Sequence, residues 1–408
     1  MPCAAKKGEP IKVAWIIAGD EGYGVRRMVM NLGPRLGPAG QQPSVVSLCD
    51  GPFAEVCRRA GLPVVCLELK AIPSLRRGLR DLPQVWQFQG STSRRLCGTL
   101  KNLGASAVHV IWPNLVALAG AAARGCGAAC LWEMPNIVGS GYPLHLNRWA
   151  YQAACWRYGV QPLAISRFVA KTLGFWPVRP EVVYLGVDER RFNPDGLTGA
   201  AKSQLGISPE AVVLGIVARL EPSKGQDRIL AAMLDVQRES RVPLHLVLVG
   251  GPVDSPFAEQ LRQTAGRAGA ADRLHLVGVV NDPERYYPLV DVAINSRVDP
   301  EPFGLSVVEA MMMRVPVLAH ALGGPAETVL DGATGWLVQE PTVAAFAEGL
   351  RRALRDQACW RAMGLAGRER ALACFSLEVQ TRRYLKILDD LLNQRRVRAD
   401  NDMTSAVR

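Results

Sequence analysis

Two glutamates eight residues apart, Glu301 and Glu309, mark the segment of this chain best suited to chemistry. An apolar, strand-like run over residues 291–296 precedes the pair, and a helical pattern covers residues 305–313. Glu301 is therefore predicted in the loop at the carboxyl end of a parallel strand, beside a helix start that offers backbone N–H groups. The side chain of Glu309, about one turn into the helix, leans back toward that start. Because carboxylates accept hydrogen bonds and amides donate them, the pair suits a ligand rich in hydroxyl groups; two surface carboxylates are the plain alternative.

Two basic residues follow an earlier apolar run at 212–218. Arg219 and Lys224 are five positions apart in the segment Arg-Leu-Glu-Pro-Ser-Lys-Gly. At the carboxyl end of a strand, a guanidinium fork and an ammonium point charge are able to flank a diphosphate. The alternative is a pair of solvated loop cations.

The elements that must position these residues are short apolar runs that alternate with longer helical patterns. This alternation predicts an α/β protein with two Rossmann-like doubly wound domains, each a parallel sheet covered by helices on both faces. Residues 1–187 are predicted as the first domain, 188–375 as the second, and 376–400 as a C-terminal helix. The predicted strands cover residues 11–17, 44–48, 63–67, 107–111, 128–132, 162–165, 182–184, 212–218, 244–249, 274–277, 292–295, 316–319 and 336–338.

Several short motifs follow one another between residues 212 and 338. They are R-x4-K from Arg219, V-G-G from Val249, E-P-F-G-L from Glu301 and G-G-x-x-E from Gly323. In this order they resemble the retaining glycosyltransferases of the GT-B fold, glycosyltransferase family 4. The resemblance implies two domains that face a central cleft, with the C-terminal helix crossing back to the first domain. It also implies transfer of a sugar from a nucleotide-diphosphate sugar to an acceptor hydroxyl, with the anomeric configuration kept.

The resemblance also implies roles for individual residues of the second domain. Arg219 and Lys224 would hold the diphosphate and stabilise the charge that develops as the glycosidic bond breaks, in place of a divalent metal. Glu309 would bind the ribose. The paired glycines before Glu327 are assigned a structural role, and Glu327 is a capping or packing residue in preference to a ligand. The donor sugar would be contacted by the side chain or backbone of Glu301, Phe303, Gly304 and Leu305.

A glycine-bearing loop follows the first predicted strand, in the segment Asp20-Glu21-Gly22-Tyr23-Gly24. By the same resemblance this loop approaches the donor phosphates and the acceptor, and it leads into a helix predicted over residues 25–36. Gly22 and Gly24 are the predicted participants. Asp20 either accepts a hydrogen bond from an acceptor hydroxyl or caps the helix.

The chain departs from the family pattern after the predicted strand at 128–132. The family has a histidine there that contacts the donor sugar, and here Glu133 stands nearest. Glu133 would take over hydroxyl binding, help to activate the acceptor, or be a strand-end carboxylate held by a neighbouring arginine. His109, one strand earlier in an apolar run, is predicted to be a core residue with its hydrogen bonds satisfied.

The net charge of +11 is unevenly distributed along the chain. Residues 1–187 hold 21 lysines and arginines against nine acidic residues, whereas the remainder holds 27 against 28. The basic excess predicts an anionic partner for the first half. Residues 70–101 combine arginines with apolar residues at helical spacing, which favours contact with an anionic membrane surface, although a solvated helix is the alternative.

Other features narrow the class of protein. The ten cysteines lack a C-x-x-C pair and no run approaches the ~20 apolar residues of a membrane span, which predicts a cytoplasmic protein. The basic stretch 70–101 would make it peripheral at the inner face of the membrane. No metal or cofactor is predicted beyond the nucleotide sugar itself. The acceptor is left open, with lipid-linked intermediates, polysaccharide units of the cell envelope and small metabolites all compatible. The alternatives are a non-catalytic relative and a hydrolase or epimerase on the same scaffold; a nucleic-acid-binding protein is disfavoured because zinc spacing and RNP-like strings are missing.

Overall fold

The computed structural model of the chain describes residues 10–69, 82–139 and 146–406. It divides into two compact units. The first comprises Met1–Tyr184 with Gln380–Arg408, and the second comprises Leu185–Val379.

The first unit is built on a parallel sheet whose strands are short and, at its centre, mostly apolar. Parallel strands buried on both faces read as continuous apolar runs, which is why they were visible in the sequence. Seven strands pair in the order β3-β2-β1-β4-β5-β6-β7. They are β1 (Lys12–Ile17), β2 (Gln42–Ser47), β3 (Val64–Cys66), β4 (Ala107–Val110), β5 (Ala129–Met134), β6 (Val160–Ala164) and β7 (Glu181–Val182).

Helices connect these strands and cover the sheet. Helix α1 begins two residues earlier than the sequence predicted, because Gly22 is its N-cap. The helices of this unit that the structure describes are α1 (Tyr23–Leu36), α2 (Pro52–Arg59), α3 (Leu82–Leu103), α4 (Val116–Cys126), α5 (Leu146–Tyr158) and α6 (Arg167–Leu173).

The second unit repeats the architecture with six parallel strands in the order β10-β9-β8-β11-β12-β13. The strands are β8 (Val212–Val217), β9 (Leu244–Val249), β10 (Leu274–Gly278), β11 (Val292–Asn295), β12 (Val317–His320) and β13 (Gly335–Val338). The helices are α7 (Gln226–Gln237), α8 (Pro256–Arg267), α9 (Leu305–Met312), α10 (Pro325–Thr328), α11 (Val343–Arg355) and α12 (Trp360–Phe375).

The last helix, α13 (Leu377–Ala406), starts in the second unit and belongs to the first from Gln380 onward. Its first residues follow a parallel bridge between Val187 and Ser376. No helix within the described ranges is both long enough and apolar enough to cross a membrane.

Strand order locates the positions where a ligand would bind. In both sheets the order reverses beside the first strand, between β1 and β4 and between β8 and β11. Loops that leave the carboxyl ends of two such neighbouring strands diverge and leave a crevice. The loops after these four strands are therefore the expected positions of ligand-binding residues.

A histidine pair lies on β9 and β10, at the edge of the second sheet that is farthest from β13. Nδ1 of His245 on β9 is 3.0 Å from Nε2 of His275 on β10, and the two rings stack. Burial lowers the pKa of both imidazoles below the ordinary value, and for His245 the neighbouring His275 lowers it further. The folded state therefore prefers both rings neutral.

This pair predicts a pH-dependent stability. Because the pKa values are lowered on folding, the unfolded chain binds protons first, and stability present above about pH 6.5 is lost as the pH falls below it. When the pH is lowered from about 7.5 to about 5, the thermal unfolding midpoint is expected to fall less for the double variant His245→Asn/His275→Asn than for the unmodified chain. Identical pH dependence of the two proteins would contradict the assignment.

Candidate functional site

Three charged side chains meet where the loops after β8 and β11 leave the second sheet. Glu301 Oε2 lies 3.5 Å from Lys224 Nζ and 3.2 Å from Arg297 Nη1. All three side chains are largely shielded from solvent. The cluster carries a net charge of +1 and joins a carboxylate to two cations at the position where the strand order reverses.

The backbone of Glu301 is fixed by the turn that follows β12. Its N–H donates to the carbonyl of Leu322 at 3.1 Å, and its carbonyl accepts from the N–H of Gly324 at 2.7 Å. A Cβ at Gly323 would collide with the carbonyl of Glu301, and one at Gly324 would collide with the backbone of Phe303. The paired glycines predicted to allow close backbone approach are therefore what lets this turn lie against the glutamate loop.

A second glycine and a serine hold the loop that carries Lys224. Gly225 adopts φ +70°, and a Cβ there would collide with the carbonyl of Ser296. The Ser296 hydroxyl donates to the carbonyl of Lys224 at 2.7 Å, and the N–H of Val298 donates to the carbonyl of Ser223 at 3.0 Å. The loops after β8 and β11 are thus joined through their backbones, which fixes the distance between Lys224 and Glu301.

Arg219 and Lys224, which were predicted to flank a diphosphate together, do not share one environment. The side chain of Arg219 is 77% exposed and pairs with Glu221 at 3.2 Å. Arg297, which the sequence analysis overlooked, is the second cation on Glu301. Its Nε is buried and has no hydrogen-bond partner among the described residues. Its place four residues before Glu301 was the available signal.

The start of α9 lies directly after Glu301. Gly304 is its N-cap with φ +87°, a conformation that favours glycine, and Leu305 is the first helical residue. The first turn of a helix presents N–H groups without an intrahelical acceptor, so these amides are suited to bind an oxygen-rich ligand. The Phe303 side chain is buried and packs edge-on against Phe375, which leaves its backbone as the part available for contact.

Glu309 has a different setting from Glu301. It is buried within α9, and its Oε2 accepts a hydrogen bond from the Tyr287 hydroxyl at 3.1 Å. Glu301 therefore lies in the loop before α9 and Glu309 in the second turn of that helix, and the two glutamates have separate partners.

In the first unit, the loop after β1 requires a glycine at position 19, in addition to the predicted participants Gly22 and Gly24. Gly22 is the N-cap of α1 with open space around it, and Gly24 lies inside the first turn of that helix. Gly19 is the residue with positive φ (+124°), and a Cβ on it would press on the carbonyl of Cys49. Asp20 is exposed and pairs with Arg26 at 2.9 Å, so it does not cap the helix.

Glu21 is a buried carboxylate in the same loop that the sequence analysis did not single out. Its Oε1 accepts from the N–H of Ala18, from Gly19 at 3.2 Å and from the Trp112 indole at 3.4 Å. Burial raises the pKa of the Glu21 carboxyl, and these hydrogen bonds oppose that rise. Since Trp112 follows β4, Glu21 joins the two loops at the point where the first sheet reverses its strand order.

Glu133 is the last residue but one of β5, which extends two residues beyond the predicted strand. It is buried, and its Oε2 is 3.0 Å from His109 Nε2 on the neighbouring strand β4. His109 Nδ1 is in turn 3.1 Å from the hydroxyl of Tyr384 on α13, and Trp15 stacks on the imidazole. Glu133 is thus held by a histidine and not by an arginine, and His109 is the satisfied core residue that was predicted.

Removal of the Tyr384 hydroxyl tests the strength of this network. Tyr384→Phe is expected to lower the free energy of unfolding by about 1–3 kcal/mol, because a buried imidazole nitrogen loses its partner. Tyr158→Phe, at a half-buried tyrosine of the same unit, is the matched control and is expected to have little effect. Chemical denaturation of both variants measures the difference, and equal stabilities would contradict a hydrogen-bonded role for Tyr384.

Only part of the basic stretch 70–101 is described, since residues 70–81 lie outside the described ranges. From residue 82 onward it forms the continuous helix α3. Arg94 and Arg95 are exposed there, whereas Leu96 is buried. That leucine is consequently not available to a lipid surface. In the ranges that the structure describes, no group of three or more His, Cys, Asp or Glu side chains could hold a metal ion.

The fold and these two loop sites together define a two-domain α/β protein of the GT-B fold. A sequence model described as glycosyl transferases group 1 matches residues 199–370, and one described as glycosyl transferase 4-like domain matches residues 23–186. The chain therefore belongs to the glycosyltransferases of the family 4 type.

Individual curated relatives match this chain over only part of their length. The chain is 35% identical over 201 residues to D-inositol 3-phosphate glycosyltransferase of Streptomyces avermitilis, which spans 48% of this chain and 43% of that protein. It is 35% identical over 215 residues to the GDP-mannose-dependent alpha-(1-6)-phosphatidylinositol monomannoside mannosyltransferase of Mycolicibacterium smegmatis, spanning 50% and 54%. The chain thus spans about half the length of the curated relatives it matches.

Solved structures extend the similarity over nearly the whole chain. A glycosyltransferase from Rickettsia africae has a TM-score of 0.80 at 18% identity, covering 94% of this chain and 99% of that one. Anabaena HepE, in complex with UDP and glucose, has a TM-score of 0.73 at 18% identity and covers 93% and 99%. At such identities the similarity establishes the fold.

Proposed function

We propose that the protein transfers a sugar from a nucleotide-diphosphate sugar to an acceptor hydroxyl with retention of the anomeric configuration. The observation that carries this proposal is the Glu301–Lys224–Arg297 cluster at the strand-order reversal of the second unit. A carboxylate beside two cations and a helix start provides hydroxyl acceptors and phosphate partners within one small region.

Each group has a distinct part in the proposed reaction. The carboxylate of Glu301 and the amides at the start of α9 bind hydroxyls of the donor sugar, and Glu309 binds the ribose. Lys224, with Arg219 and Arg297, holds the diphosphate and stabilises the negative charge that grows on it as the glycosidic bond breaks. The acceptor hydroxyl attacks the anomeric carbon on the same face as the departing phosphate. The bond between the anomeric carbon and the diphosphate breaks, and the leaving diphosphate takes the proton of that hydroxyl, so no protein nucleophile is required and no divalent metal takes part.

The proposed acceptor is an anionic molecule, lipid-linked or free, in the synthesis of cell-envelope polysaccharide or glycolipid. The excess of 21 basic over nine acidic residues in positions 1–187 supports this choice. The names of the two curated relatives, one acting on inositol 3-phosphate and one on a phosphatidylinositol mannoside, point to the same chemistry.

Thermal unfolding in the presence of UDP-, GDP- and ADP-sugars, with EDTA throughout, tests donor binding. One nucleotide sugar is expected to raise the unfolding midpoint. That donor is then incubated with a phosphate-bearing acceptor, and the new bond in the glycosylated acceptor is analysed for its anomeric configuration. Since Arg219 is exposed and paired with Glu221, Arg219→Ala is expected to weaken the shift less than Lys224→Met.

The outcomes separate the proposal from its alternatives. Donor binding without transfer to any phosphate-bearing acceptor favours a non-catalytic relative, and donor consumption without acceptor favours a hydrolase or epimerase. A shift that appears only after Mg²⁺ is added contradicts the metal-free mechanism.

A further inference from the structure

Exposed aromatic side chains are concentrated in one short region of the first unit. Among the tryptophans and phenylalanines whose side-chain exposure the structure describes, every exposed one lies between residues 149 and 176. Their exposed fractions are 51% for Trp149, 68% for Trp156, 53% for Phe175 and 75% for Trp176. Such a concentration of large apolar groups on a surface marks an interaction site more often than chance exposure.

Helix α5 carries an exposed apolar face that includes Trp149 and Trp156. Leu146, Trp149, Ala153 and Trp156 are all exposed and follow one another at spacings of three or four residues, so they form a single stripe. The opposite side of the helix is turned to the protein interior, where Gln152 and Cys155 are buried. The apolar stripe is therefore the outer face of a helix that is already packed on its inner face.

The loop after α6 is fastened to the same helix. Gln152 donates to the carbonyl of Val178 at 3.0 Å and accepts from its N–H at 3.0 Å, while Arg148 donates to the carbonyl of Leu173 at 3.0 Å. Phe175 and Trp176 lie within the segment held by these bonds. The helix stripe and the aromatic loop are accordingly neighbours on one surface, named here the α5 aromatic face.

The charge around this face has one sign. Residues 134–180 contain five lysines and arginines and no acidic residue. The guanidinium of Arg148 lies 5.5 Å from the ring centre of Trp149, and that of Arg179 lies 5.9 Å from Phe175. Arg157 and Arg179 are also exposed. Aromatic rings with arginines beside them occur where proteins meet the headgroup layer of a membrane.

We propose that the α5 aromatic face docks the protein on an anionic phospholipid surface. Tryptophans and the leucine would enter the boundary between headgroups and acyl chains, and the arginines would pair with lipid phosphates. A second copy of the chain is a poor occupant, because a symmetric contact would bring the same cations together. Nucleic acid is also a poor fit, since Leu146 and Ala153 interrupt the rings and offer no surface for base stacking.

Sedimentation of the full chain with vesicles tests the proposal without any nucleotide sugar. The protein is expected to bind vesicles that contain phosphatidylglycerol and to bind pure phosphatidylcholine vesicles much more weakly. Trp149→Ser/Trp176→Ser is expected to lower the affinity for the anionic vesicles by about tenfold or more. Val279→Ser, which removes an exposed apolar residue of the second unit, is the matched control and is expected to bind as the unmodified chain does.

Two further measurements make the result decisive. The unfolding midpoint and the donor-induced shift of the double variant, recorded without vesicles, are expected to be unchanged, so a failure of lipid binding is separable from a failure of the proposed transfer. The proposal is overturned if the unmodified chain ignores anionic vesicles, or if the double variant binds them equally well. It is also overturned if light scattering shows that the two tryptophans hold a dimer together, or if Arg76→Glu/Arg77→Glu/Arg80→Glu abolishes binding while the tryptophan variant does not.

Discussion

Glu301→Gln is expected to lower the turnover number for sugar transfer by about a hundredfold or more. The amide has the shape of the carboxylate, but it lacks the charge that pairs with Lys224 and Arg297 and accepts strongly from sugar hydroxyls. The loss should fall mainly on turnover, because the carboxylate is proposed to orient the donor sugar in the transition state, where charge develops.

The measurement is steady-state transfer with the donor identified by thermal unfolding. Glu340→Gln, at an exposed glutamate of the same unit, serves as the control and is expected to retain full activity. Removing the Glu301 charge also leaves two cations side by side, so a small drop in the unfolding midpoint is expected for Glu301→Gln alone. Turnover within about twofold of the unmodified enzyme would contradict the role assigned to this carboxylate.

Lys224→Met is expected to reduce transfer by about a hundredfold to a thousandfold. Methionine keeps the length and the apolar stem of the side chain but removes the ammonium that lies 3.5 Å from Glu301. The charge that builds on the leaving diphosphate then loses its most shielded partner from the loop after β8. Binding of the nucleoside diphosphate should weaken, whereas binding of the free nucleoside should be little affected.

The control for this variant is Arg241→Met, which removes an exposed cation of the same unit. A double variant, Glu301→Gln/Lys224→Met, should lose less than the product of the two single losses, because the residues act on one another and on the same ligand. Rescue of Lys224→Met by added Mg²⁺ would show that a metal is able to take the place of the ammonium. Unchanged affinity for the nucleoside diphosphate in Lys224→Met would contradict the diphosphate role.

The central strands of both sheets were predictable because they are buried on both faces. Runs such as residues 244–249 contain only apolar side chains apart from His245, and their length and spacing with helices specify parallel pairing. Glu301 was predictable for a related reason: a loop between a parallel strand and a helix start must open at the carboxyl edge of the sheet. These are local properties of the chain, so they are readable from the sequence alone.

The sequence did not show that Arg219 and Lys224, predicted to flank a diphosphate together, have different surroundings. Both follow β8 within a few residues, but the loop turns so that Lys224 lies inward beside Glu301 and Arg219 faces solvent. The direction of that turn depends on the collision-free approach of Gly225 to Ser296, a residue of another loop. The same holds for Arg297: its place four residues before Glu301 made it a candidate, but only the folded loop shows that its guanidinium meets the carboxylate.

In the first unit, the fold also decided which loop groups matter. The close approach needed at Gly19 is created by the carbonyl of Cys49, which follows a different strand. Glu133 is joined through His109 to Tyr384, a residue 275 positions away from that histidine. The apolar stripe of α5 was likewise recognised only in the structure, because only the folded chain shows which face of that helix is exposed.

The sequence by itself therefore determined the class of fold, the strand positions, the motif order of a family 4 glycosyltransferase and the carboxylate at the centre of the candidate site. Only the tertiary structure decided which cation meets Glu301, which glycine the loop after β1 requires and which polar groups the interior pairs. The physical reason is that burial patterns and turn preferences act over a few neighbouring residues. Ion pairs, backbone collisions and buried hydrogen bonds instead depend on atoms that meet only after distant segments have packed together.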